Sequence, residues 1–126
     1  MNEKRKFSRY KCRIECTCGY FTGDPEKVNI IRDTPVNGSG LILDISRGGI
    51  LIVTDDNPGV NVTAKVNFII KNKSVQLIGR IVRTGMLQSN PAEVAKIHAA
   101  FSVHGKNYIA LEFDMPIESI SETDFV

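Results

Sequence analysis

The sequence predicts an all-β, mainly antiparallel fold, a barrel or a sandwich, on three observations. About seven short β-rich runs recur between turn signals, and they do not alternate with helices as an α/β fold would require. Residues 10–20 alternate apolar and polar with a period of two, the mark of a half-buried strand. With 126 residues, 42% hydrophobic and 24% charged, the chain is one domain able to bury a core, which excludes global disorder and disfavours a two-domain enzyme. Closing the sheet into a barrel removes unpaired edges, so it is the favoured solution in a protein this small.

Each element has its own signal. In the first run Tyr10, Cys12, Ile14, Cys16, Cys18 and Tyr20 share one face, while Arg9, Lys11, Arg13, Glu15 and Thr17 share the other. The three cysteines are odd in number and clustered, which argues against a disulfide framework. Their alternation predicts free thiols packed as small hydrophobes. A C-x3-C-x-C zinc site completed by His98 or His104 lacks a second paired-cysteine motif.

Thr22-Gly23-Asp24-Pro25 reads as a turn, Val28 to Arg32 as a β-branched run, and 33–40 as a loop rich in Pro, Asn, Gly and Ser. Strands are expected at Leu41 to Ile45 and Ile50 to Thr54, joined by Ser46-Arg47-Gly48-Gly49, whose glycines permit a tight or bulged path. After a turn at 55–59, Val60 to Ile70 and Ser74 to Thr84 read as a hairpin through Lys71-Asn72-Lys73. Asn90, Pro91 and Glu93 form a helix start of cap, first-turn proline and third-position acid. His104 to Asn107 is a turn into the strand Tyr108 to Phe113, and Pro116 opens an acidic amphipathic tail. Its Ile117, Ile120 and Phe125 could dock over an open barrel end.

The net charge of +2 conceals an asymmetry. Residues 1–13 carry Lys4, Arg5, Lys6, Arg9, Lys11 and Arg13 against Glu3 alone, a local +5 that leaves −3 for the remainder. Residues 1–11 therefore read as a flexible basic N-terminal arm on a domain spanning 12–126, which ends in a short tail or helix. Such an arm suits nucleic acid, an anionic membrane surface or a small phosphate ligand, or is simply solvated. No apolar segment follows that would make it a secretory signal, and no run approaches the roughly 18 apolar residues of a membrane span. A cytoplasmic location is expected.

Two motifs narrow the choice. Arg5-Lys6-Phe7-Ser8-Arg9 is an R-x-x-x-R ahead of the first strand, and Asp44-Ile45-Ser46-Arg47-Gly48-Gly49 is a D-x-S-x-x-G between two strands. In this order and spacing the sequence resembles the PilZ domain family, whose members bind the bacterial second messenger cyclic di-GMP through an R-x-x-x-R and a [D/N]-x-S-x-x-G. Gly79 to Arg83 resembles the family's G-x-V-V-R strand, and Tyr108 to Phe113 its closing strand, with Ala110 where glycine is often found. The likeness runs from about Lys4 to Asp114.

The resemblance implies a six- to seven-stranded β-barrel with short helical segments and a non-catalytic receptor that signals to a downstream protein partner. It implies cyclic di-GMP as ligand, no further cofactor, and an output in motility, adhesion, secretion or biofilm matrix production. The ligand-binding residues it implies are Arg5, Arg9, Asp44, Ser46 and Gly49, with Arg47 and Gly48 as lesser contributors.

Ligand chemistry agrees with that choice of side chains. An arginine fork donates bidentately to phosphate or to guanine O6 and N7 and stacks on a base, whereas lysine matches only the charge. Asp44 can accept from guanine N1–H and N2–H2, and Ser46 can donate or accept. A hydrogen-bonded turn is the structural alternative for both.

No catalytic arrangement competes. Ser8, Ser46 and Cys12 lack a base at motif spacing, His98 and His104 are isolated, and no carboxylates are paired. No metal is expected. Single-stranded nucleic acid is the alternative partner from another class, disfavoured because Trp is absent and only Phe7 and Tyr10 lie among the basic residues. A PilZ-like module with a protein as its main ligand is a further alternative. Ligand stoichiometry and homodimer formation turn on residues near Lys4.

Overall fold

Six strands carry the fold: β1 (Tyr10–Phe21), β2 (Val36–Ile45), β3 (Gly49–Thr54), β4 (Thr63–Ile70), β5 (Lys73–Met86) and β6 (Asn107–Phe113). The structure, a computed structural model, describes residues 10–86 and 107–113. All neighbouring strands are antiparallel, and they close into a barrel in the order β1-β2-β3-β6-β5-β4, with β4 returning to β1. The expected Asn90–Pro91 helix start, His98, His104 and the tail from Pro116 lie outside the described residues. No helix of the described residues is long and apolar enough to cross a membrane.

Alternation fills the barrel as the sequence predicts. Cys16, Cys18 and Tyr20 are buried in the core with Ile42, Ile52, Val66, Ile81 and Ile109, while Tyr10, Cys12 and Ile14 pack against it. All three cysteines are free thiols. Burial, and then the charge of Asp44, push the Cys12 thiol up to about 12. Cys16 and Cys18 lie with their sulfurs 3.9 Å apart, and their hydrogen bond holds Cys16 above the ordinary thiol value, with burial adding to the effect. The same hydrogen bond pulls the Cys18 thiol down, so Cys12 and Cys16 are the two held protonated, and all three serve as packing atoms of the core.

Two expectations are corrected. Val28 to Arg32 forms no strand, and β2 begins at Val36, inside the segment read as a 33–40 loop. Tertiary packing overrides local composition here. A Cβ on Gly40 would approach Ile52 Cγ2 to 2.6 Å and the Val53 carbonyl to 2.7 Å, so this glycine lets β2 lie against β3. The β4–β5 hairpin is as expected, and Lys71 (φ 47°) and Asn72 (φ 66°) supply the left-handed pair of a tight two-residue turn.

Asp56 ties the strands together where β3 ends. Its Oδ2 accepts from the Tyr20 hydroxyl at 2.9 Å and lies 2.9 Å from Thr54 Oγ1, which also reaches the Ser39 carbonyl at 2.7 Å. Burial, reinforced by the neighbouring Cys18, holds the Tyr20 phenol above its ordinary pKa and keeps it a donor. Asp56→Ala strands this buried hydroxyl, so it is expected to destabilise the barrel by about 2 kcal/mol. The midpoint should fall by roughly 8 °C in thermal unfolding; a change under ~0.5 kcal/mol would count against the network.

Candidate functional site

The Asp44–Gly49 motif turns the chain from β2 into β3, and its hydrogen bonds explain the conformation. Ser46 N donates to the Gly49 carbonyl at 2.8 Å, while Ser46 Oγ accepts from Gly48 N and Gly49 N, each at 3.2 Å. Ser46 is buried, at 7% exposure, so its hydroxyl braces the turn as well as bordering the surface. A further bond, Phe113 N to the Gly48 carbonyl at 2.9 Å, fastens the loop to the end of β6. Gly49 is buried, Gly48 half-buried and Arg47 exposed.

Strict alternation would turn Asp44 to the side of Ile42, the barrel interior. A β-bulge prevents this. Ile42 pairs with Ile52 but Asp44 pairs with Leu51, so Leu43 is an extra residue on β2 and the parity of the strand flips. Asp44 thereby joins the face that carries Lys11 and Leu51, while Ile45, opposite Tyr10 and Ile50, turns into the core. Asp44 is 9% exposed; its Oδ1 is buried without a hydrogen bond, and the side chain has other interactions. The bulge is the feature that sequence periodicity missed. The sequence carries its trace in the order apolar-apolar-acid-apolar at Ile42 to Ile45, which no period of two fits.

Arg5 and Arg9 lie outside the described residues. The chain that follows them is well placed for the motif: Tyr10 pairs with Ile45 and Lys11 with Asp44. Arg9 is covalently bound to Tyr10, and consecutive Cα atoms are about 3.8 Å apart, so the basic segment joins the barrel beside the Asp44–Gly49 loop. Asp44, Ser46, Gly48 and Gly49 are thus gathered at one strand junction, at the point where β1 begins.

A depression lies elsewhere on the barrel. An open groove of about 1390 Å³ crosses the barrel over Arg13, Glu15, Leu41, Val53, Asp55 and Ile69, sharing no residue with the loop. Its lining holds one arginine and two carboxylates, a poor match for a phosphate ligand. The loop, with a carboxylate, a turn fixed by its own hydrogen bonds and the start of β1 paired beside it, is the better candidate. Among the described residues no group of three or more His, Cys, Asp or Glu is arranged to hold a metal ion.

Comparison with known proteins bears on the family and the fold. The chain matches the PilZ domain family over residues 3–123. No curated protein matches it. Among solved structures it is similar to the Bacillus subtilis inhibitor of motility MotI/DgrA, with a TM-score of 0.56 at 14% identity, over 98% of this chain and 46% of that one. It is similar also to the PilZ domain of CeSA from a cellulose-synthesizing bacterium, with a TM-score of 0.50 at 13% identity, over 83% of this chain and 79% of that one. The chain spans about half the length of the motility inhibitor, and at these identities the likeness is one of fold.

Proposed function

The chain belongs to the PilZ domain family, and from that premise we propose that it is a non-catalytic receptor for cyclic di-GMP that passes the signal to a partner protein. Asp44 accepts from a guanine edge, the Ser46–Gly49 turn borders the ligand, and Arg5 and Arg9 close over it from the N-terminal side. The observation that carries this reading is the pairing of Tyr10 and Lys11 with Ile45 and Asp44. The residues that follow the R-x-x-x-R motif are thereby paired with the end of β2, which supports a ligand bridging that motif and the Asp44–Gly49 loop.

The physical logic is a division of labour. The loop is fixed by its own hydrogen bonds and costs little to order on binding, whereas the arginines supply charge-assisted, bidentate donors to phosphate. Binding makes or breaks no covalent bond, so the output is a changed surface around the loop and the end of β6. The motility inhibitor it resembles is named for acting on motility, which supports an output in motility here.

Calorimetry decides the matter. Cyclic di-GMP is expected to bind with micromolar or tighter affinity, about −8 kcal/mol, while GMP, GTP and cyclic di-AMP bind far more weakly. Absence of heat at tens of micromolar cyclic di-GMP would instead favour a module whose main ligand is a protein. A short single-stranded oligonucleotide that competes with a steep salt dependence would favour nucleic acid.

A further inference from the structure

Cyclic di-GMP is two-fold symmetric, with two guanines and two phosphates, but the Asp44–Gly49 loop offers one carboxylate for one guanine edge. A second carboxylate stands one strand away. Gly49 at the end of the loop pairs with Glu112 on β6, and Glu112 pairs in turn with Arg80 on β5. Residues directly opposite one another across a sheet share a face. Leu111 and Phe113 on either side are in the core, and Glu112 itself is exposed, so this face is the outside of the barrel.

The two rows form one surface. In the neighbouring row Asp44 pairs with Leu51 and Leu51 with Ala110, so Asp44 and Glu112 flank β3 from opposite sides, with Leu51 buried and Ala110 half-buried between them. With strands about 4.8 Å apart, the backbone of Arg80 lies roughly 10 Å from that of Gly49, within the span of a dinucleotide. A carboxylate with a basic residue opposite it is therefore present on each side of β3: Asp44 with Lys11, and Glu112 with Arg80.

Resting on the cyclic di-GMP reading above, we propose that Glu112 and Arg80 form the second half of the ligand site. Glu112 accepts the N1–H and N2–H2 of the guanine that Asp44 does not reach, and Arg80 donates to the adjoining phosphate. A carboxylate facing this position selects guanine: adenine would set its own N1 lone pair against the carboxylate oxygens. The two residues also stand opposite one another as unlike charges, an arrangement that can serve the sheet alone, so binding and stability are read separately.

The mixed dinucleotide cyclic GMP–AMP isolates the second guanine. In calorimetry on the full chain, the wild type should prefer cyclic di-GMP over cyclic GMP–AMP by roughly ten-fold or more, the discrimination of one bidentate base contact. Glu112→Ala should bring that ratio close to one by weakening cyclic di-GMP alone, and Arg80→Met should weaken both ligands alike. An unchanged ratio in Glu112→Ala, whether or not the melting temperature falls, overturns the proposal and leaves the receptor reading intact. Failure of the wild type to bind cyclic di-GMP would overturn both together.

Discussion

Arg9→Lys is expected to weaken cyclic di-GMP binding nearly as much as Arg9→Ala, on the order of 100-fold in each case, the equivalent of about 2–3 kcal/mol. Net charge is the same in Arg9→Lys as in the wild type, so an arm acting by long-range attraction would be almost unaffected. The reason to expect loss lies in geometry. Arg9 is covalently bound to the first residue of β1, and Tyr10 and Lys11 pair with Ile45 and Asp44. A lysine offers one point charge, while a planar fork can take two phosphate oxygens or a guanine edge at once. Titration of both variants at two salt concentrations checks this. Recovery of wild-type affinity in Arg9→Lys would reduce the arm to electrostatic steering, and a salt slope that changes with the alanine variant alone would say the same.

The contrast between what was legible in the sequence and what was not follows from the physics of the elements. The face of β1 was readable because Cys12 to Tyr20 keep an unbroken period of two, and a strand buried on one side has no other way to satisfy it. The β4–β5 hairpin was readable because Lys71-Asn72 lies between two alternating runs. The start of β2 was not, since Asn37-Gly38-Ser39-Gly40 has loop composition and is strand only because β1 and β3 pair with it from both sides. At the site, the motif residues were found by likeness, but the bulge at Leu43 that turns Asp44 to the outer face emerges only from the register of three strands. Glu112 lies within the run Tyr108 to Phe113, which reads simply as a strand; what gives it interest is the identity of its cross-strand neighbours, which no local pattern reports.

Gly49→Ala should have the largest effect on the fold of any single methyl added at the site. A Cβ there would collide with the Leu111 carbonyl oxygen on β6, a backbone atom that cannot rotate away. Relieving the clash means parting β3 from β6 at the point where Phe113 N bonds the Gly48 carbonyl and where Ser46 bonds Gly49 three times over. Overpacking of this kind costs about 2–3 kcal/mol, or roughly 8–12 °C in melting temperature for a chain of this length. Gly23→Ala is the control: no atom stands within 4 Å of its added Cβ, and its effect should stay within about 0.5 kcal/mol. The motif alone would assign Gly49 to close approach by the ligand, whereas the packing assigns it first to close approach by β6. The two roles separate in one pair of measurements. If Gly49→Ala melts with the wild type yet loses cyclic di-GMP, the glycine serves the ligand and the packing argument is wrong. If stability falls first and affinity falls only as the loop comes away from β6, the glycine of the motif is there to build the turn that presents Asp44 and Ser46.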